Sequence, residues 1–267
     1  MRPITDAEFA QFQRFIFEQA GITLSAQKKA LVMGRLGKRL AVRELETFTE
    51  YLQVLGSGRD ADEVQIAVDL LTTNETYFFR EIKHFEFLRE KAIAASGGGR
   101  PFRVWSAASS SGEEAYSIAM VLADCLGDSP WEVLGTDIST RMVQDAERAL
   151  YTMDRARHVP QHYLSRYCLR GTAQYQDKLL IDRKLRSRVK FRYANLNEAL
   201  PELGQFDFVF LRNVMIYFSN ETKQRVVNRV ANTLKPKGYF LVGHSETLND
   251  ITQAVRPVAP AIYQKPG

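Results

Sequence analysis

From Phe102 onward, short apolar runs alternate with amphipathic stretches, and this alternation limits the possible folds more than any other feature of the 267-residue chain. The runs are Phe102-Arg103-Val104-Trp105, Trp131-Glu132-Val133-Leu134, Val189-Lys190-Phe191, Phe206-Asp207-Phe208-Val209-Phe210 and Tyr239-Phe240-Leu241-Val242. Helical periodicity fills 114–126, 140–150 and 220–234. Strand and helix in turn predict a mostly parallel sheet with helices on both faces, because parallel strands need long crossovers. Residues 158–188, between the second and third runs, are too many for a plain crossover. They read as an inserted subdomain with short β elements such as Lys178-Leu179-Leu180-Ile181.

Upstream the texture is helical. Thr5-Asp6-Ala7-Glu8 is a capping-box pattern, followed by Phe9, Phe12, Ile16 and Phe17 at helical spacing, with Gly21 as a stop. Ser25 is placed to cap a second helix carrying Leu31, Val32, Leu36 and Leu40. A third covers 48–55 and a fourth 61–71. The expected organisation is a helical domain over 1–71, a linker or lid over 72–100 and an α/β domain over 101–267. Ser96-Gly97-Gly98-Gly99 is read as a flexible joint.

Open α/β sheets bind ligands beyond the carboxyl ends of their strands. After the first strand come Ser106-Ala107-Ala108-Ser109-Ser110-Ser111-Gly112-Glu113-Glu114. Small residues allow a tight turn and close approach to a ligand. The glycines of the dinucleotide fingerprint are missing, and two carboxylates stand where a pyrophosphate needs positive charge. A cationic ligand such as S-adenosyl-L-methionine suits the turn better, and an NAD oxidoreductase is disfavoured. The bland reading is an ordinary strand-to-helix turn whose acids favour the helix dipole.

Asp137 closes the second strand and is placed to accept both hydroxyls of an adenosine ribose. It could instead cap the next helix, although Ser139 and Thr140 are better placed for that. Asn195 and Leu196 follow the third strand and could hold an adenine edge and face. Loop asparagines are more often turn residues. Arg212 and Asn213 stand beyond the fourth strand in the apolar run Leu211–Phe218, where buried polar groups need partners. Upstream, Asn74, Thr76 and Arg80 could lid the site from the helical side.

Taken together, several of these segments resemble the CheR type of methyltransferase. They are 71–80, 104–109, 112–117, 212–218 and Gly243-His244-Ser245-Glu246, and the resemblance covers nearly the whole chain. It implies a Rossmann-like methyltransferase sheet with an N-terminal all-helical domain and a small inserted β subdomain. It implies cofactor contacts at Asn74, Thr76, Arg80, Glu113, Asp137, Asn195, Leu196, Arg212 and Asn213. The implied reaction transfers methyl from S-adenosyl-L-methionine to receptor glutamates, leaving S-adenosyl-L-homocysteine. Two departures are Ala115, where members often have Pro, and Ala173, where a second glycine is expected in Arg170-Gly171-Thr172-Ala173. The latter puts tethering of a receptor C-terminal peptide by the inserted subdomain in question.

A glutamate carboxylate is ionised at neutral pH, so the reaction needs no general base. His84, His158, His162 and His244 are scattered along the chain and form no evident constellation. Arg212 and Tyr217 are the candidates nearest the chemistry. Lys28, Arg35, Arg39 and Arg43 fall on one helical face, uninterrupted by any acid from 26 to 43. They could dock acidic receptor helices or form a solvated face. A second basic group, Lys184, Arg186, Arg188, Lys190 and Arg192, could extend that field or keep a strand edge soluble.

The formal charge of +5 suggests an anionic partner without naming it. RNA would require stacking aromatics among the cations, and the basic segment has none. RNA methylation and a non-catalytic cofactor-sensing module remain the rival readings. Two cysteines give neither a disulfide framework nor a zinc motif, so no metal is expected. The N-terminus resembles no signal peptide or membrane span. A cytoplasmic monomer is expected.

Overall fold

The computed structural model describes residues 2–96 and 100–267; the joint expected at Gly97, Gly98 and Gly99 lies outside the described residues. Four helices come first: α1 (Asp6–Ala20), α2 (Lys29–Val42), α3 (Phe48–Gly56) and α4 (Ala61–Leu71). α1 begins at the capping box. The Thr5 hydroxyl accepts the Glu8 amide, and the Glu8 carboxylate accepts the Thr5 amide. It ends at Gly21, whose φ of +71° is left-handed. A Cβ there would also lie 2.8 Å from the Thr222 methyl group. Ser25 makes no side-chain cap; it precedes a single 3-10 turn, Ala26–Lys28, before α2. Phe12, Ile16, Leu36, Leu40, Phe48 and Tyr51 close the core between these helices. Each such burial stabilises by about 1.5–3 kcal/mol relative to exposure.

A fifth helix, α5 (Lys83–Ala95), occupies the stretch read as linker. Ile82 precedes it without a side-chain cap, so no start signal marks it. Phe85, Leu88 and Ala92 bury its inner face in the same core as α6 (Glu113–Leu126).

The main sheet holds β1 (Phe102–Ala107), β2 (Trp131–Asp137), β6 (Val189–Tyr193), β7 (Phe206–Phe210) and β8 (Leu234–Leu241) in parallel. The two last strands, β9 (Arg256–Ala259) and β10 (Ile262–Gln264), are antiparallel additions that the apolar pattern did not reveal. The order is β6-β2-β1-β7-β8-β10-β9. The chain leaves β1 first toward β6 and later returns to β7 on its other side. A crevice therefore opens at the carboxyl ends of β1 and β7. Between β2 and β6 lie α7 (Thr140–Arg148), α8 (Gln161–Tyr167) and α9 (Arg183–Arg186). A separate antiparallel sheet, ordered β3-β5-β4, is formed there by β3 (Leu150–Thr152), β4 (Cys168–Arg170) and β5 (Lys178–Ile181). It begins eight residues or so before 158 because β3 pairs with β5. β6 is an edge strand, and Lys190 and Arg192 are exposed on it, as a protected edge requires. α10 (Asn220–Ala231) covers the sheet near β8.

Candidate active site

A cavity of about 950 Å³, its mouth included, lies over the carboxyl ends of the sheet. Its wall brings together Asn74, Thr76, Arg80, Asp137, Asn195, Leu196, Arg212, Asn213 and Tyr217, which are dispersed over 144 positions of sequence. The mixed polar and apolar lining suits a small-molecule cofactor.

The turn after β1 is tightly wound. Ala108, Ser110 and Gly112 all have positive φ, at 108°, 48° and 95°. A Cβ on Gly112 would meet the Ala146 methyl at 2.8 Å, so glycine is required there for space as well as conformation. Ser110 donates its hydroxyl to the Asn74 carbonyl at 2.9 Å, tying the 72–80 segment to this turn.

Of the two acids that open α6, Glu114 stands in the cavity wall and Glu113, the one expected there, does not. Glu113 is wholly buried behind the wall, ion-paired with Arg155 and accepting the Ser111 hydroxyl at 2.7 Å. Burial pushes its carboxyl up, against the pull of Arg155. Successive helical residues point about 100° apart, so only one of the pair can face the ligand. Glu114 accepts Ser106 Oγ at 2.7 Å and an Arg212 Nη at 2.9 Å.

Asp137 ends β2 in the cavity wall. Its carboxylate oxygens accept the Ser110 amide at 2.8 Å and the Ser139 amide at 2.9 Å, leaving each a further lone pair. Burial pushes its pKa up to about 6, opposed by those backbone donors. Ser139 caps α7 through the Met142 amide, as Asp137 does not.

Asn195 lines the cavity, but its side chain braces the fold. Nδ2 donates to the Gln19 carbonyl at 2.7 Å and to Glu198 at 3.0 Å, while Oδ1 accepts the Asn197 amide. Both amide hydrogens are spent, so an adenine edge would find its partner elsewhere.

Arg212 is the hub. One Nη bonds Glu114; the other bonds Glu81 at 2.8 Å and the Arg80 carbonyl at 2.5 Å. Its two Nη groups thus hold the 72–80 segment against the sheet, while its buried Nε has no partner among the described residues. Next to it, Asn213 has φ +56°, and the loop is held by Glu246, which accepts the amides of Asn213, Met215 and Gly243 at 2.7–2.8 Å. Glu246 lies outside the cavity, and only the short motif 243–246 marked it.

Tyr217 borders both the cavity and a neighbouring groove lined by Ile22, Leu24, Lys28, Leu31, Leu71 and Ile216. The Thr23 amide donates to the Tyr217 carbonyl at 2.8 Å, so the helical region frames this edge.

Two family models match. "CheR methyltransferase, all-alpha domain" covers residues 7–72, and "CheR methyltransferase, SAM binding domain" covers 74–263. The chain belongs to the CheR methyltransferase family. Curated chemotaxis protein methyltransferases resemble it along their length. That of Salmonella typhimurium is 38% identical, over 97% of this chain and 90% of its own. That of Escherichia coli is 39% identical, over 97% and 91%. Chemotaxis protein methyltransferase 2 of Pseudomonas aeruginosa is 39% identical, over 97% and 93%.

This CheR methyltransferase is an S-adenosyl-L-methionine-dependent enzyme of chemotaxis. The donor set fits that cofactor: Asp137 keeps acceptor capacity for ribose hydroxyls, and Glu114 offers a carboxylate to an ammonium. When bound, the cofactor supplies an electrophilic methyl on a sulfonium. Among the described residues no histidine, cysteine or lysine lines the cavity, which suits a nucleophile already ionised.

The helical face bearing Lys28, Arg35, Arg39 and Arg43 is less bare than its sequence. Arg39 forms a two-bond pair with buried Glu63 at 2.6–2.7 Å. Arg43 pairs with Asp60 at 2.9 Å. Arg35 donates to the carbonyls of Leu70 and Thr72 at 3.0 and 2.8 Å, closing the end of α4 beside the cavity. Lys28 alone of the four lines the Tyr217 groove. The histidines are not all scattered either: the His84 and His244 rings meet edge-on, 5.1 Å between centroids.

Proposed function

We propose that this CheR methyltransferase esterifies glutamate side chains on the cytoplasmic helices of chemoreceptors, releasing S-adenosyl-L-homocysteine. The observation that carries this reading is the groove beside Tyr217. It runs from an exposed lysine, Lys28, to the cavity edge where methyl would be offered. An acidic helix can lie there and insert one carboxylate. Tyr217 bounds the meeting point; Asn74, Thr76, Arg80, Glu114, Asp137, Leu196 and Asn213 surround the cofactor. Arg212 and the Asn195 amide hold that wall in place. Rate enhancement then comes from alignment and exclusion of water between two charged partners.

No helix among the described residues is long and apolar enough to cross a membrane, so the receptor brings the membrane association. A receptor C-terminal peptide is a further partner for the inserted sheet. Ala173 holds the left-handed φ of +50° expected of the missing glycine. Alanine bears that conformation at a cost of about 1–2 kcal/mol, so the turn itself survives the substitution.

The test is incubation with methyl-labelled cofactor and either receptor-containing membranes or RNA. Label in receptor protein supports the reading. Label in RNA alone favours the nucleic-acid rival, and label in neither favours a non-catalytic sensor.

A further inference from the structure

The strongest unexplained group in the molecule is His84. It is 1% exposed, and among the described residues neither ring nitrogen has a hydrogen-bond partner. Leaving a buried polar atom unpaired is costly, so an unpaired pair of nitrogens points to a missing ligand. Two other donor groups stand beside the ring. Glu81 Oε2 lies 3.4 Å from His84 Nδ1 and 3.8 Å from His244 Nε2. One ligand atom from each of the three residues falls within 4.8 Å of the others.

We propose that Glu81, His84 and His244 form a three-ligand site for a zinc-class divalent ion, whose occupation competes with Arg212 for Glu81. Ligand distances of about 2.0–2.2 Å place tetrahedral donors about 3.4 Å apart, close to the two separations from Glu81, and the two imidazoles lie within the 4.8 Å that a small closure would draw in. Two imidazoles and a carboxylate suit zinc and its neighbours far better than calcium or magnesium. His84 must be a neutral ligand, and its burial holds its pKa down to about 4, with Arg212 pressing in the same sense. Glu81 is a carboxylate at neutral pH: Arg212 and the His244 amide overcome the effect of burial on it. The His244 side chain is 52% exposed and leaves a way in from solvent.

The opposing force is the Arg212 guanidinium, 2.8 Å from the same Glu81 oxygen. A bound ion draws on Glu81 and repels Arg212 toward its other partner, Glu114, in the cavity wall. That carboxylate is then less available to a cationic cofactor. Metal and cofactor are therefore coupled negatively, and the coupling is reciprocal. The metal site itself does not depend on which substrate is methylated.

The experiment is calorimetric titration of the full chain with zinc chloride, without cofactor or receptor, with cobalt absorbance reporting coordination. One equivalent should bind the wild type. His244→Ala lies at the surface and should keep the fold, checked by thermal melting, while weakening zinc by more than about tenfold, since even outer-shell losses cost about 10–100-fold. His84→Leu keeps an apolar volume in the buried position and should lose the site as well. Zinc should weaken S-adenosyl-L-homocysteine binding to the wild type but not to His244→Ala. Absence of stoichiometric binding, or equal binding by folded His244→Ala, would overturn the site. Product affinity unchanged in the zinc-bound wild type would overturn the competition with Arg212.

Discussion

Asp69, near the end of α4, caps the helix that follows β2: its carboxylate receives the Thr140 amide at 3.1 Å and the Thr140 hydroxyl at 3.0 Å. Arg141 adds a third donor, and Gln65 reaches from the same helix to the Ile138 carbonyl. Helical region and cofactor loop are thus fastened directly above Asp137.

Asp69→Ala should weaken cofactor binding although Asp69 does not line the cavity. Hydrogen bonds to a charged group contribute about 1.5–3 kcal/mol each, and partial relaxation of the loop should lower affinity about tenfold. Calorimetry with S-adenosyl-L-homocysteine measures this. Unchanged affinity would show that the Asp137 loop keeps its shape unaided.

The two acids of α6 should separate cleanly. Glu114→Gln removes a charge from the cavity wall and should reduce cofactor affinity at least about tenfold. Glu113→Gln should reduce affinity less and lower the melting temperature more, because it leaves Arg155 without its buried partner. Paired titrations and thermal melts on both variants decide the order. The reverse order would return Glu113 to the site.

Cofactor affinity should fall in acid. Asp137 must be ionised to accept two hydroxyls, and burial places its pKa at about 6. Affinity should hold above that value and decline as pH drops through it. Stability of the unliganded protein should respond oppositely. The folded pKa exceeds the ordinary 3.8, so this group's contribution is full below 3.8 and is lost as pH rises through about 6. Titrations and melts from about pH 3.5 to pH 8 check both limbs, and Asp137→Asn should flatten them.

Much of this was readable in the sequence because it is local. The capping box at Thr5, the strand cores and the acid at the end of β2 each depend on neighbouring residues. What escaped depends on distant partners. The Arg39 and Arg43 charges looked unrelieved because their acids, Glu63 and Asp60, stand 24 and 17 positions downstream on another helix. Glu113 and Glu114 are indistinguishable until the start of α6 fixes their directions. His84 and His244 meet only through the packing of α5 beside the loop after β8. β9 and β10 are short, and Pro257 interrupts one of them, so no alternating run marks them.

The basic face should likewise divide by function. Lys28→Glu should leave folding and cofactor affinity unchanged, because Lys28 lines the groove beside Tyr217, is exposed, and makes no ion pair among the described residues. It should lower the methylation rate on receptor several-fold, with salt lowering the wild-type rate in the same direction. Arg39→Glu should instead destabilise the helical region by about 3–5 kcal/mol, since it sets a like charge against buried Glu63. Rates and melts on the two variants distinguish docking from scaffolding. Equal receptor methylation by Lys28→Glu would remove the groove from substrate recognition.

Glutamate methylation is read out by mapping the methyl group on a receptor cytoplasmic fragment after reaction with labelled S-adenosyl-L-methionine. Label is expected on glutamate side chains as base-labile methyl esters, released as methanol, and lost where those glutamates are replaced by alanine. Base-stable label, or label that stays when the glutamates are replaced, would contradict it.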